Sequence, residues 1–166
     1  MLNELIFFEV RIFRMFCEKL QVSSADTNKL FETYGVWKYI EDTYDMLRLN
    51  GDECAVNDIW EMLKVKGIKL EGEFCNKLET VNDKITEQKR FCADLILTDA
   101  IMDMADEEGI TLQEARNKII NSNAYIALYD FETGLWETGP DYFRDFFMQR
   151  YFKNPLIEAN DCVKIK

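Results

Sequence analysis

The chain has 166 residues, of which 48% are hydrophobic and 13% aromatic, enough for one ordinary domain or two very small ones and too apolar for a disordered tail. It contains no histidine, which removes histidine-based nucleophile relays, proton shuttles and His-ligated metal sites together. With 31 acidic against 20 basic side chains the net charge is −11, so phosphate backbones are repelled and a basic protein surface is the complementary partner.

The first segment carries Leu2, Ile6, Val10, Phe13, Cys17 and Leu20 at steps of four and three, which predicts one helix with an unbroken apolar stripe. Phe8, Ile12 and Met15 add a second apolar row, so this helix should be covered on more than one side. Glu4 and Glu9 interrupt the opening run and no small-residue cleavage site follows, which argues against an export signal. No apolar run reaches the roughly 20 residues that a membrane helix needs, so a soluble chain with no membrane contact is expected.

Ser23-Ser-Ala-Asp26 resembles a capping box with Asp in place of the usual Glu, opening a short helix that Tyr34-Gly35 should stop. A third helix follows with Val36, Trp37, Ile40, Tyr44 and Leu47, ending at Asn50-Gly51. A fourth carries Val56, Ile59, Trp60 and Leu63 to Gly67. Residues 1–67 thus read as a four-helix unit. Between 67 and 88 the apolar residues Phe74, Leu78, Val81 and Ile85 keep helical spacing, so 68–88 is expected to be a helical connector. The pattern runs on through Cys92 and Leu95, compatible with one long helix over about 73–108.

Shifting the chain on itself by 88 residues brings a second unit, 89–155, into register with the first. Val22-Ser23 then meets Ile110-Thr111, Asp26 meets Glu114, Trp37 meets Tyr125, Leu47 meets Leu135 and Gly51 meets Gly139. This points to a tandem all-α architecture, two similar helical units of about four helices each, with 156–166 as a C-terminal tail. The second unit departs in its third helix, where Glu132-Thr-Gly134 predicts a shortening or a turn. Gly139-Pro140-Asp141 then opens the last helix, with the proline in its first turn.

Cys17, Cys54, Cys75, Cys92 and Cys162 are odd in number and contain no C-x-x-C pair, which suits a reducing, cytoplasmic setting rather than a disulfide framework. Cys17 and Cys92 fall on apolar stripes and read as small buried side chains. Asp99 and Asp103, with Asp106-Glu107-Glu108, put carboxylates one turn apart on one helical face. Such a pair could hold Mg²⁺ or share a proton, but a metal needs further oxygen ligands, so a solvated acidic face or a docking strip for a basic partner is favoured. No glycine-rich phosphate loop is present. No catalytic, metal-binding or cofactor-binding residue is therefore assigned, and no cofactor is expected.

The aromatic residues are more informative, because two tiny units can hardly enclose them all and Tyr or Trp left half-exposed among carboxylates make interface anchors. The expected anchors are Tyr34, Trp37, Tyr44 and Trp60 in the first unit and Tyr125, Trp136 and Tyr142 in the second, beside Asp99 and Asp103. Replacing Trp37 or Trp136 by Ala should then weaken a complex without unfolding the protein.

Phe31-Glu-Thr-Tyr-Gly-Val-Trp-Lys-Tyr-Ile40, Tyr44-Asp-Met-Leu-Arg-Leu-Asn-Gly51 and Val56-Asn-Asp-Ile-Trp60 together resemble a small helical domain family of unknown function from clostridia and related Firmicutes. The resemblance covers residues 3–67 and, more weakly, 90–152. Arg48 stands where that family has His, and Glu132-Thr-Gly-Leu-Trp136 replaces its Tyr-x-x-Leu element, so no role of that histidine carries over. Members are frequently encoded beside an ADP-ribosyltransferase-like protein, and the resemblance implies an antitoxin or immunity role. The expectation is a non-enzymatic, acidic protein-binding module whose partner, a toxin or a defence complex, presents a basic surface. The alternative is a phage-type, anti-CRISPR-like inhibitor that mimics nucleic acid, and a homodimer would be another way to cover the doubly apolar first helix.

Overall fold

A computed structural model describes residues 2–68 and 81–151, and among these every regular element is helical. The chain divides into two compact units, Met1–Lys77 and Leu78–Lys166. The first contains α1 (Leu2–Leu20), α2 (Ser24–Thr33), α3 (Val36–Asn50) and α4 (Asp52–Val65). The second contains α5 (Val81–Glu108), α6 (Leu112–Ile120), α7 (Asn123–Tyr129), two 3₁₀ turns at Phe131–Thr133 and Leu135–Glu137, and α8 (Pro140–Tyr151).

In the first unit α1 packs on α2, α3 and α4, which covers both of its apolar rows: Ile6, Phe8, Val10, Ile12, Phe13 and Phe16 are all buried. Its core is a ring stack. Phe13 lies nearly parallel to Trp37 at 5.2 Å, Phe31 meets Phe13 and Phe16 edge-on at 5.4 and 5.2 Å, and Phe16 reaches Trp60 at 6.0 Å. Such offset and edge-on pairs place positive ring edges against negative faces and add to area burial. Across the rim, Arg11 pairs with Asp52 and Lys19 with Glu53 at 2.6 Å, tying α1 to the start of α4.

The turns follow from single residues. Ser23 caps α2, its Oγ accepting from Asp26 N at 3.1 Å and donating to Asp26 Oδ2 at 2.7 Å. Gly35 and Gly51, at φ 69° and 86°, supply the positive dihedral that lets α3 begin and end sharply.

The core of the second unit mixes aliphatic side chains with a few aromatic ones. Leu97, Ala100, Ile101 and Met104 of α5 face Ile119 of α6, Leu128 of α7 and Phe143 and Phe147 of α8. Thr111 caps α6 with a complete box: Glu114 N donates to Thr111 Oγ1 at 3.2 Å, and Thr111 N donates back to Glu114 Oε2 at 2.9 Å. The element order parallels the first unit, since α6 begins 88 residues after α2 and α8 begins 88 residues after α4. Where α3 runs for 15 residues, however, α7 stops after seven. Asp130 accepts from Glu132 N, Thr133 Oγ1 donates to the Ala127 carbonyl, and Gly134 at φ 74° turns the chain into the second 3₁₀ turn, as the Glu132-Thr-Gly134 signal predicts.

The described part of the connector is helical, as the spacing of Val81 and Ile85 predicts. Residues 81–88 are the first turns of α5, because that apolar spacing continues without a break into the stripe of the second unit. The expected extension of that helix over 73–80, and the tail 156–166, lie outside the described residues.

Candidate interaction surface

The nine expected anchors separate by burial. Trp37, Trp60 and Tyr125 are core residues, at 3%, 3% and 6% exposure, and not half-exposed anchors. The physical reason is aromatic packing: Phe13, Phe16, Phe31 and Trp37 fill one small volume through stacked and edge-on contacts, Trp60 joins it through Phe16, and Trp37 further satisfies its indole N–H on buried Asn28. Tyr125 packs at a tilt against Tyr129, ring centres 4.8 Å apart, and the Tyr129 hydroxyl donates to buried Asp94 at 2.7 Å.

The other four aromatic residues reach the surface. Tyr34 sits in the α2–α3 turn at 36% exposure, with its carbonyl accepting from Lys66 Nζ, and Tyr142 is 56% exposed on the first turn of α8. Trp136 is half-buried. Its Nε1 donates to the Phe131 carbonyl at 3.3 Å, and the Lys89 ammonium lies 4.9 Å above its ring, so its face is already engaged by a cation. Tyr44 is half-exposed on α3, held edge-on against Phe8 at 5.4 Å.

Asp99 and Asp103 do share a face of α5, and the Asp99 carboxyl is pushed above its ordinary range by partial burial and then by the neighbouring Asp103 charge. The carboxylates of this strip remain solvent-exposed, with the Asp103 and Glu107 side chains 45% and 58% accessible. Arg144 of α8 lies among Asp103 at 3.7 Å, Glu107 at 2.9 Å and Asp141 at 3.6 Å, and so compensates one end of it. Among the described residues no group of three or more His, Cys, Asp or Glu is placed to hold a metal ion. Cys17 and Cys92, expected as buried, are only half-buried, and Cys54 is exposed.

A surface that periodicity did not single out lies on the outer side of α3. Leu5 of α1 and Glu41, Asp42, Thr43, Tyr44, Asp45 and Met46 of α3 line a shallow cleft of about 680 Å³. Met46 is 52% exposed, and Leu49, one turn further, is 81% exposed. The sequence signal was present. Met46 and Leu49 fall off the buried stripe of Val36, Trp37, Ile40 and Leu47, so among the described residues a second apolar face of α3 stays exposed.

Residues 7–66 match the model of a protein family of unknown function, DUF3791. That match falls within the 3–67 span of the resemblance. No curated protein and no solved structure matches the chain. Among the described residues no helix is long and apolar enough to cross a membrane.

Proposed function

We propose that the chain is a non-enzymatic, acidic protein-binding module of the antitoxin or immunity type, which neutralises a partner by covering a basic surface on it. The observation that carries this reading is the placement of exposed aromatic and apolar side chains among carboxylates: Tyr44, Met46 and Leu49 beside Glu41, Asp42 and Asp45, and Tyr142 beside Asp141. Carboxylates steer a basic partner and suppress wrong ones, while a few desolvated aromatic groups supply most of the affinity. The resemblance adds the partner class, an ADP-ribosyltransferase-like toxin, whose NAD-binding cleft would be basic. The pairing of Arg144 with Asp103, Glu107 and Asp141 interrupts the carboxylate row on the second unit, which weighs against the nucleic-acid mimic.

The test is co-expression with the ADP-ribosyltransferase-like protein encoded beside members of the family, followed by capture at low and high salt and an assay of transferase activity. A stoichiometric complex that survives high salt and silences the transferase supports the reading. A complex that forms with a nucleic-acid-binding protein and dissolves at high salt supports the mimic, and no complex at either salt overturns both.

A further inference from the structure

The α3 cleft combines three features that select one class of occupant. Its floor is apolar, formed by Leu5, the Tyr44 ring and Met46. Its rim is anionic, with exposed Glu41 and Asp42 beside Asp45, which pairs with Arg48. Thr43 contributes no free donor, because its Oγ1 is turned back to the Tyr39 carbonyl at 2.6 Å. An anionic ligand is repelled by such a rim, and a neutral apolar one leaves the carboxylates beside buried surface without compensation.

Beside the cleft the chain's own Arg48 already engages Tyr44 and Asp45, an internal example of the chemistry that a guanidinium meets there. Arg48 places its guanidinium 5.4 Å from the Tyr44 ring centre while its Nε lies 3.5 Å from Asp45. An aromatic face with a carboxylate at its edge suits a planar guanidinium better than an ammonium, which is a compact, strongly hydrated point charge. The Tyr44 ring is fixed from beneath by buried Phe8, so this platform is formed before any partner arrives.

We infer that this cleft is the docking site for an arginine-bearing amphipathic segment of a partner protein. One apolar side chain of that segment enters between Leu5 and Met46, and its arginines meet Glu41 and Asp42, as in the helix-in-groove mode. Leu49, one turn on, extends the apolar contact. The inference rests on the reading of the chain as a binding module for a basic partner and adds the surface and the side-chain chemistry.

The probe is a synthetic peptide with leucines and arginines at i, i+4 helical spacing, together with its lysine and glutamate counterparts, titrated into the isotope-labelled full chain and followed by amide chemical shifts. The arginine peptide is expected to shift Leu5, Tyr44 and Met46 most, the lysine peptide to bind several-fold more weakly, and the glutamate peptide not to bind. Asp42→Lys and Met46→Ala, both at exposed positions, should each weaken the arginine peptide by about tenfold with unchanged circular dichroism. Arg48→Ala should strengthen it, since the resident guanidinium no longer competes for Tyr44. Shifts centred on the second unit, equal affinity for the Asp42→Lys variant, or no binding at all would overturn the cleft assignment. The broader reading stands or falls separately, on whether the toxin complex forms.

Discussion

The indole Nε1 of Trp37 donates to Oδ1 of Asn28 at 3.0 Å, and both side chains are buried. A tryptophan that looked like an interface anchor is thereby a structural residue, held by ring stacking on Phe13 and by a polar partner inside the same core. Trp37→Ala should cost about 3–5 kcal/mol and unfold much of the first unit. Asn28→Ala, which removes the acceptor from a buried N–H, should cost about 1–3 kcal/mol. Denaturant unfolding measures both, and an unchanged midpoint for Trp37→Ala would show that the indole is not part of the core.

Gln21 and Gly109 close equivalent turns 88 residues apart, before the caps Ser23 and Thr111, and both have positive φ, 54° and 63°. A Cβ at Gly109 would meet nothing within 4 Å, so Gly109→Ala carries only the conformational penalty, about 1 kcal/mol. Gln21 carries that penalty already, partly offset by its Nε2 bond to the Glu18 carbonyl at 2.6 Å. Because water can replace that exposed bond, Gln21→Gly should stabilise slightly, by less than about 1 kcal/mol. Thermal unfolding of the two variants gives the opposite signs directly, and destabilisation by Gln21→Gly would show that the side-chain cap outweighs the strain.

The Asp99 carboxyl is held above its ordinary range by burial and by Asp103, so the folded state binds its proton more tightly than the unfolded state does. Stability from this group is complete below the ordinary aspartate range and is lost as pH rises through the raised value. Asp99→Asn should therefore raise the unfolding midpoint at pH 7 and make little difference in strong acid. A midpoint at pH 7 equal to or lower than that of the parent chain would contradict this.

Glu114 has the opposite sign. Hydrogen bonds from the Thr111 backbone and side chain hold its carboxyl below the ordinary glutamate range, so its contribution is present above that range and disappears as pH falls through the lowered value. Glu114→Ala should destabilise at pH 7 and converge with the parent chain in acid, whereas Thr111→Ala should cost about 1 kcal/mol through loss of the cap. Unfolding curves collected from pH 7 to pH 2 separate the two effects.

Arg144 is the cation among Asp103, Glu107 and Asp141, with its side chain 22% exposed. Arg144→Ala should cost about 1 kcal/mol at low salt, the scale of a surface network, and less at high salt where the remaining carboxylates repel one another less. A salt-independent loss would assign the effect to packing of its aliphatic stem.

Much of the fold was legible because capping and glycine chemistry act locally. Ser23 and Gly35 bracket α2, Gly35 and Gly51 bracket α3, and Gly134 breaks the third helical element of the second unit, all readable without knowing what packs where. The anchors were harder, and for one reason. Trp37 shares a stripe with Ile40 and Leu47, and Trp60 shares one with Ile59 and Leu63, so periodicity already placed both inside. The expectation of exposure came from counting rings against the size of the unit, and it failed because Phe13, Phe16, Phe31, Trp37 and Trp60 pack on one another in a single cluster and cover each other's surface. The α3 cleft was missed because its lining joins a residue of α1 to a face of α3 across 36 positions of sequence, a juxtaposition that only tertiary packing creates. Arg144 was likewise invisible as the partner of Asp103 and Glu107 until α8 was laid against α5.

The uneven placement of the three tryptophans makes the chain its own optical gauge. Trp37 and Trp60 lie in the buried aromatic cluster of the first unit, while Trp136 in the second is half-buried beneath an ammonium group. Emission from the first pair is blue and shifts to the red when that unit opens, whereas Trp136 begins nearer the solvent-exposed colour. In a Trp136→Phe background, tryptophan fluorescence reports the first unit alone, so its opening can be timed without any attached dye.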